Sequence, residues 1–491
     1  MKPELILAHD LGTSGNKATL YRADGTRLGS ALVSYPTNFF NGCWAEQNPD
    51  DWWRAVCDST KQLLAETGVD PAQIAVVALS GQMMGMTPVD VRGNALRPSM
   101  LYCDQRAVAE ERQIEARVGA DRFYSIVGHR VSASYSIEKL MWLKAHEPEV
   151  YAKTAKTLCA KDFVNARFTG RLATDHTDAS GTNAFDLNRF AWSEEILAAA
   201  EIPSDMMPEA LPSTAILGRV TVEAAVATGL LAGTPVAAGG GDGSCAGVGA
   251  GSVAPGIVYN CMGSSSWIAL TTEKIVMDPQ RRVMTWAHCV PGMLHASGTM
   301  QTAGSAVKWF VEKFGVEYDA ADAVPAGANG LLFLSYLCGE RTPWWNPDAR
   351  GVFAGMSLST TREEMYRAVL EGVANSLAYI REIFSERVDC GSTLRVVGGG
   401  ARGATLVGIL ADACNCTVET IEGVAEATST GAAVTGGVAC GLFPDFSVVD
   451  RFAKKAGEIH PDPERAQLYA RRRAAMVEYY RAVAPLFTAL M

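Results

Sequence analysis

Neither a Cys-x-x-Cys pair nor a Cys/His group at zinc spacing occurs among the 12 cysteines and 7 histidines of this 491-residue chain. That argues against a structural zinc site or a thioredoxin-type centre. The cysteines are scattered, with Cys414 and Cys416 the nearest two, as expected of reduced thiols in a cytoplasmic protein. The histidines form no set that suggests a metal or a Ser/His/Asp triad. No run of 18 or more apolar residues is present, so a membrane span is not expected. The first ten residues, ending in Asp10, are too short and polar for a signal peptide. Positive charge is in deficit, with 43 Lys and Arg against 53 Asp and Glu and a formal net charge of −10. That balance excludes a broad nucleic-acid surface, though not a nucleotide ligand. Two phosphate-binding fingerprints are also missing: the G-x-x-x-x-G-K-[ST] loop and a clean G-x-G-x-x-G, so a dehydrogenase ranks low.

What the chain has is the composition of a globular enzyme, 48% hydrophobic and 20% charged, and a length that suits two to four domains of roughly 100–200 residues each. Apolar runs at 5–8 and 18–21 flank a turn at 12–15, and Asp24-Gly25 signals a second turn before 30–34. Helical periodicity at 51–67 and a strand at 74–79 follow, so the class is α/β. The theme returns later, with a strand at 257–261, a small-residue turn at 262–266 and a strand at 267–271. Two related domains across a cleft are therefore expected, joined near 247–255, with the glycine-rich 247–256 as the hinge. The low-charge stretch 233–263 is expected to be strands and tight loops. Helices at 362–384 and 405–415, a strand at 394–397 and a charged helical tail at 463–490 complete the pattern.

Four glycine- or serine-rich turns could carry chemistry. Asp10-Leu11-Gly12-Thr13-Ser14-Gly15 follows a strand. Its backbone N–H groups and the hydroxyls of Thr13 and Ser14 could hold phosphate oxygens, with Lys17 nearby and Asp10 able to bind a metal ion. An ordinary hairpin turn is the alternative. Gly263-Ser264-Ser265-Ser266 is a second such turn, or a plain serine-rich one. Gly239-Gly240-Gly241-Asp242 places a carboxylate at a strand end, where α/β ligand sites lie. There Asp242 could be a general base or only a helix cap. Gly398-Gly399-Gly400-Ala401-Arg402 joins a strand to a helix, as nucleotide turns do. Glu46, Gln47, Gln82, Asp104 and Arg106 could bond a polyhydroxylated ligand or serve as salt bridges and caps, while Trp344 and Trp345 suit packing.

Taken in order, these blocks resemble the FGGY family of carbohydrate kinases, and within it the xylulokinase branch. The likeness runs from Asp10 to about Leu442. It rests on DLGTSGNK at 10–17, WAEQNPDDWW at 44–53, SGQMMG at 80–85, DASGTNAFDL at 178–187, GGGD at 239–242, GERTPWWNP at 339–347 and GGGAR at 398–402. Two signature stretches also fit. One, at 134–146, has Lys139 and Trp142 in place and Ala145 where the family prefers a polar residue. The other, at 351–371, has Phe353, Gly355, Ala368 and Glu371.

The resemblance implies two actin-like, ribonuclease-H-like domains, here 1–248 for sugar and phosphate and 249–491 for nucleotide. It implies ATP and a small sugar as substrates, with Mg²⁺. Asp242 would be the base and Asp10 the magnesium organiser. Gly12, Thr13, Ser14 and Lys17 would meet the phosphates from one side, and Gly263 and Ser264 from the other. Gly304 and Lys308 would contact ADP, and Gly399, Gly400 and Ala401 the adenine. The sugar would lie among Gln82, Met83, Met84, Asp104 and Asp242. Nothing in it implies a nucleic-acid or membrane partner, and a homodimer is compatible with it.

Two departures stand out. Met84 occupies a position where the branch typically has histidine, and a thioether is a weak acceptor. Ser264 replaces threonine and keeps the hydroxyl. D-Xylulose is the leading substrate, with ribulose, erythritol and glycerol as alternatives. The glycerol reading lacks its expected Arg-Glu pair, since Met86-Thr87 follows Gly85. A non-catalytic actin-like sugar or ATP binder is the rival from another class. The intact Asp10 and Asp242 speak against it.

Overall fold

The computed structural model describes residues 3–421 and 426–490. Two seven-stranded sheets organise them. In the first, Leu5–Leu11, Gly15–Arg22 and Arg27–Ser34 form an antiparallel meander. The opening strand also pairs in parallel with Ile74–Gly81, which pairs in parallel with Pro235–Ala237 and, further along, with Gly240–Gly241. The second sheet repeats the plan. Val258–Met262, Ser266–Thr272 and Leu294–Met300 run antiparallel. Val258–Met262 then pairs in parallel with Thr393–Val397, which pairs with Thr417–Ile421. Each sheet thus starts with a hairpin whose first strand takes a parallel neighbour. That puts the two hairpin turns, 12–15 and 263–265, at corresponding strand ends.

Local sequence accounts for the main helices. Asn48 accepts from Asp50 N and Pro49 opens the helix Pro49–Thr67, which ends at Gly68 in the left-handed region. The helix Arg362–Ser385 opens with a reciprocal capping box between Thr361 and Glu364. Its apolar face enters the largest core, with Val373, Leu377 and Ile380 fully buried. No helix among the described residues is long and apolar enough to cross a membrane.

The glycine-rich segment differs from expectation. Residues 247–249 of the expected hinge are the last turn of a helix, Asp242–Gly249, and 250–256 follow it outside helix and strand. This helix crosses Ala427–Ala439 at very short range. A Cβ on Gly249 would stand 1.8 Å from the Ala427 carbonyl oxygen, and one on Gly431 would stand 1.8 Å from that of Cys245. Small residues here permit a helix crossing that any side chain would block. The helix Ala427–Ala439 also lies on the first sheet, with Val434 in the same buried cluster as Ile6, Ala8, Val76 and Ala78. A late stretch of chain therefore closes the core beneath the early strands.

Candidate active site

Three neighbouring strand ends converge. In register, Asp10 stands opposite Ser80, and Gly240 and Gly241 stand opposite Ser80 and Gly81. Asp10, Gln82 and Asp242 therefore leave the same edge of one sheet. The approach is tight, because a Cβ on Gly241 would lie 2.5 Å from Met83 Cγ. Asp242 is the first residue of its helix, and its Oδ1 accepts from Gly243 N at 2.7 Å. Burial pushes its carboxyl up to about 6 against the pull of that N–H. Burial likewise lifts Asp10 to about 7. Lys17 opposes this rise, while the nearby Asp242 and Glu426 add to it. Two carboxylates short of positive charge thus share one edge.

Each hairpin turn is closed by an internal bond, Gly12 N to Gly15 O at 3.0 Å and Gly263 N to Ser265 O at 2.9 Å. Thr13 is partly exposed, and Ser14 and Ser264 are exposed. The first turn is anchored from behind. Gln47 Nε2 donates to Thr13 O at 2.7 Å, and the Tyr35 hydroxyl donates to Gly12 O. The second is anchored by the helix Gly304–Phe314, whose Ala303 N and Ser305 N donate to Ser264 O at 2.9 and 3.0 Å. Lys17 pairs with Glu426 at 3.0 Å, which also takes Arg27 at 2.9 Å.

Gly304 shares a cavity of about 500 Å³ with Gly399, Gly400, Tyr318, Asp322 and Arg402. Ala401 and Lys308 are not in its lining. Ala401 packs on the core behind it, and Lys308 is exposed and pairs with Glu312 one turn on at 3.6 Å.

On the opposite side, Gln82 is buried and positioned from two directions. Its N donates to Leu11 O at 2.8 Å and its Nε2 to Gln47 Oε1 at 2.8 Å. Trp52 Nε1 fixes the same Gln47 oxygen at 2.8 Å. Gln82 Oε1 is buried without a hydrogen bond among the described residues. Met83 packs with Met284 and Trp286, with Met84 and Trp345 at the margin. Met84 adopts φ 64°, a left-handed conformation that a methionine rarely takes.

Asp104 does not reach the opening as expected of a sugar ligand. It is fully buried. Its oxygens accept from Ala45 N, from Arg106 N and from the Arg106 guanidinium at 2.7–3.0 Å. Arg106 in turn lies 3.8 Å over the Trp44 ring. This pair ties the strand Trp44–Gln47 to the chain that follows Met100, and Asp104 works behind the wall.

Trp286 and Trp345 escaped sequence reasoning as site residues. Trp286 sits in the short strand Met284–Ala287, without a motif around it. Trp345 belongs to the 339–347 block, where both tryptophans suit packing. Trp344 does pack, stacking on Tyr480 at 3.9 Å, but Trp345 turns toward Met83 and Met84. The block at 178–187 begins with Asp178, which is buried beside Lys161 at 3.2 Å. It serves the interior.

The comparisons with known proteins show the family. Residues 5–249 match the FGGY family of carbohydrate kinases, N-terminal domain, and residues 258–440 match its C-terminal domain. The xylulose kinase of Bacillus subtilis (strain 168) is 31% identical over 471 residues, covering 94% of each chain. A gluconokinase of Bacillus licheniformis is 28% identical, covering 98% of this chain and 97% of its own. The crystal structure of ligand-bound xylulose kinase from Lactobacillus acidophilus superposes with a TM-score of 0.93 at 25% identity, covering 99% of this chain and 100% of the other.

Proposed function

We propose that this chain, which belongs to the FGGY family of carbohydrate kinases, transfers the γ-phosphoryl group of ATP to D-xylulose, giving D-xylulose 5-phosphate. The chain is a sugar kinase, and sugar kinases of this family use ATP. The ketose and the residue roles are our reading. The observation that carries it is the pairing of Asp242, raised to about 6, with Asp10, raised to about 7, on the edge that also holds Gln82. A base whose pKa lies just below neutral pH is ionised yet still basic enough to take a proton.

Phosphoryl transfer needs positioning and charge neutralisation more than covalent chemistry. Gln82 Oε1, unpartnered and held in place through Gln47, would accept from a sugar hydroxyl. The Met83, Trp286 and Trp345 cluster would meet the apolar face of the sugar and keep water out. Asp242 would take the proton from the hydroxyl as its oxygen attacks the γ-phosphorus, and ADP would leave. The turns at 12–15 and 263–265 would bind phosphate oxygens through backbone N–H groups and the hydroxyls of Thr13, Ser14 and Ser264. Lys17 would add positive charge from the strand next to Asp10. Gly304, Gly399 and Gly400 line the cavity suited to the nucleoside. Lys308 and Ala401 would act only from its margin.

Mg²⁺ fits beside Asp10, because a carboxylate lifted to about 7 beside a second carboxylate is a hard oxygen donor short of positive charge. Bound there, the ion would supply neutralisation of the phosphate charge. Asp242→Asn should lose about 10³-fold or more in kcat while binding sugar at near-native affinity. An Asp242→Asn enzyme with substantial turnover would contradict the base assignment.

A second reading rests on Met84. A thioether where the branch has histidine removes one polar sugar contact, and a site that loses such a contact changes its preference. Another ketose or a polyol is then the acceptor, with the same residues in the same roles. The gluconokinase relative keeps an aldonate in view.

A further inference from the structure

Lys139 has no part in the chemistry above, yet it lies directly behind the wall assigned to the sugar. It is fully buried. Among the described residues its ammonium touches no carboxylate, and it donates all three protons to main-chain carbonyls: Met84 O at 2.9 Å, Leu101 O at 2.6 Å and Ser134 O at 2.5 Å. These oxygens belong to three separate stretches of chain. Met84 follows Gln82 and Met83 in its left-handed turn. Leu101 starts the turn that holds Asp104, whose N donates to Leu101 O at 3.1 Å. Ser134 precedes Tyr135, which stacks on His129 at 4.6 Å, and His129 lies 5.7 Å from Trp286.

Such an arrangement is costly unless it serves a purpose, since a desolvated ammonium facing only neutral acceptors is unfavourable. Its geometry suits one task. A tetrahedral –NH₃⁺ can hold three carbonyls in a fixed triangle, and no neutral side chain of that length offers three donors. A left-handed methionine would relax if its carbonyl were released.

We propose that Lys139 is a positioning residue that fixes the Met84 turn in its sugar-facing conformation, and so sets sugar affinity without touching sugar or nucleotide. The inference rests on the reading that Gln82, Met83 and Met84 line the sugar site.

The charge environment supplies a distinctive test. Desolvation lowers the Lys139 pKa to about 8, against the nearby Asp104 and Glu138 and, more weakly, Cys103 and Cys159, all of which favour the ammonium. Asp104 is paired with Arg106. Glu138, itself raised to about 8 by burial, is bonded by Asn183 at 2.7 Å and does not touch the three carbonyls. Burial holds the Cys103 and Cys159 thiols above their ordinary range. As pH rises through about 8 the ammonium becomes an amine with two protons, and one carbonyl loses its donor.

Initial rates would be measured from pH 7 to 9.5 with D-xylulose, or with whichever acceptor of the panel described in the Discussion is turned over fastest. Wild-type protein, Lys139→Met and Gln82→Ala would be compared. The wild type should show sugar KM rising above about pH 8 with ATP KM flat. Lys139→Met should show a sugar KM raised about tenfold or more at pH 7, an ATP KM within about twofold, and no further rise with pH. A wild-type-like sugar KM in Lys139→Met, or an identical pH rise in that variant, overturns the proposal. Lys139→Gln, measured in the same way, decides the matter if Lys139→Met fails to fold. Gln82→Ala separates the two levels. If it leaves sugar KM unchanged, the sugar site itself is misplaced. If it raises sugar KM while Lys139→Met does not, only the role of Lys139 falls.

Discussion

Asp242 and Asp10 each lie beside glycines, at the ends of strands that flank Ile74–Gly81, and the field each feels differs. Asp10 has Lys17 beside it and two carboxylates, Asp242 and Glu426, pushing the other way. Asp242 is restrained by backbone N–H donors, Gly243 foremost, and stays lower at about 6. In the proposed role of base its ionised form is the working one, which sets the sign. At fixed saturating magnesium, kcat/KM for the sugar should rise as pH climbs through about 6 and level off above it, as a pH–rate profile from 4.5 to 7.5 would show. A profile already flat down to pH 4.5 would mean that Asp242 is not the group that takes the proton. Both aspartates were legible in the sequence because each ends an apolar run at a glycine turn. The margin of the site was not. Asp104 has the same polar character as Asp242 in a linear reading, and only the packing of Arg106 against it shows that its oxygens are already taken. Trp286 and Trp345 meet Met83 across a long stretch of chain, and no local pattern announces that.

Among the elements, the most exacting arrangement lies under the site. The helix Ala160–Thr169 contributes Lys161 and Asp162, the strand Ala173–Asp175 contributes Asp175, and the helix His176–Ser180 contributes Asp178. Lys161 Nζ stands 2.5, 3.1 and 3.2 Å from the three carboxyls, all of them buried. Burial raises the pKa of both Asp162 and Asp178, against the pull of the Lys161 ammonium. The arrangement extends toward the site, because Asp175 Oδ2 accepts from Thr177 Oγ1 at 2.6 Å, and that hydroxyl oxygen accepts from Gly241 N at 2.7 Å. Lys161→Met should destabilise the protein by about 3–5 kcal/mol in chemical denaturation, since it leaves buried carboxyls without their cation. A loss under about 1 kcal/mol would show the cluster to be dispensable. The strands and helices around it were legible from apolar runs and turn residues. The sequence also marked the 178–187 block, but the reason for that block is an ion cluster drawn from three elements. The glycines at 247 and 249 carry a role in packing that a linear reading does not show. Glycine permits flexibility and also close helix contact, and only the Ala427–Ala439 helix lying against Gly249 tells which applies.

At the scale of the whole molecule, the duplicated plan matters most. Two sheets, each opening with a hairpin whose turn is exposed at a strand end, bring turns 12–15 and 263–265 into equivalent positions. The repeat of strand, small-residue turn and strand was visible in the sequence although the two copies share little identity, because it depends on residue size and apolarity more than on exact residues. The chain's late return to cover the first sheet was not visible, since the helix Ala427–Ala439 is rich in glycine, serine and threonine and does not read as a helix. In the proposed function this double-sheet frame serves phosphoryl transfer to a ketose. The most direct test is ADP release by the purified protein with Mg-ATP against D-xylulose, D-ribulose, erythritol, glycerol and gluconate. The account predicts strong, sugar-dependent ADP release with D-xylulose as the best acceptor. ADP release stimulated by none of these, from protein shown to be folded and to bind ATP, would contradict it.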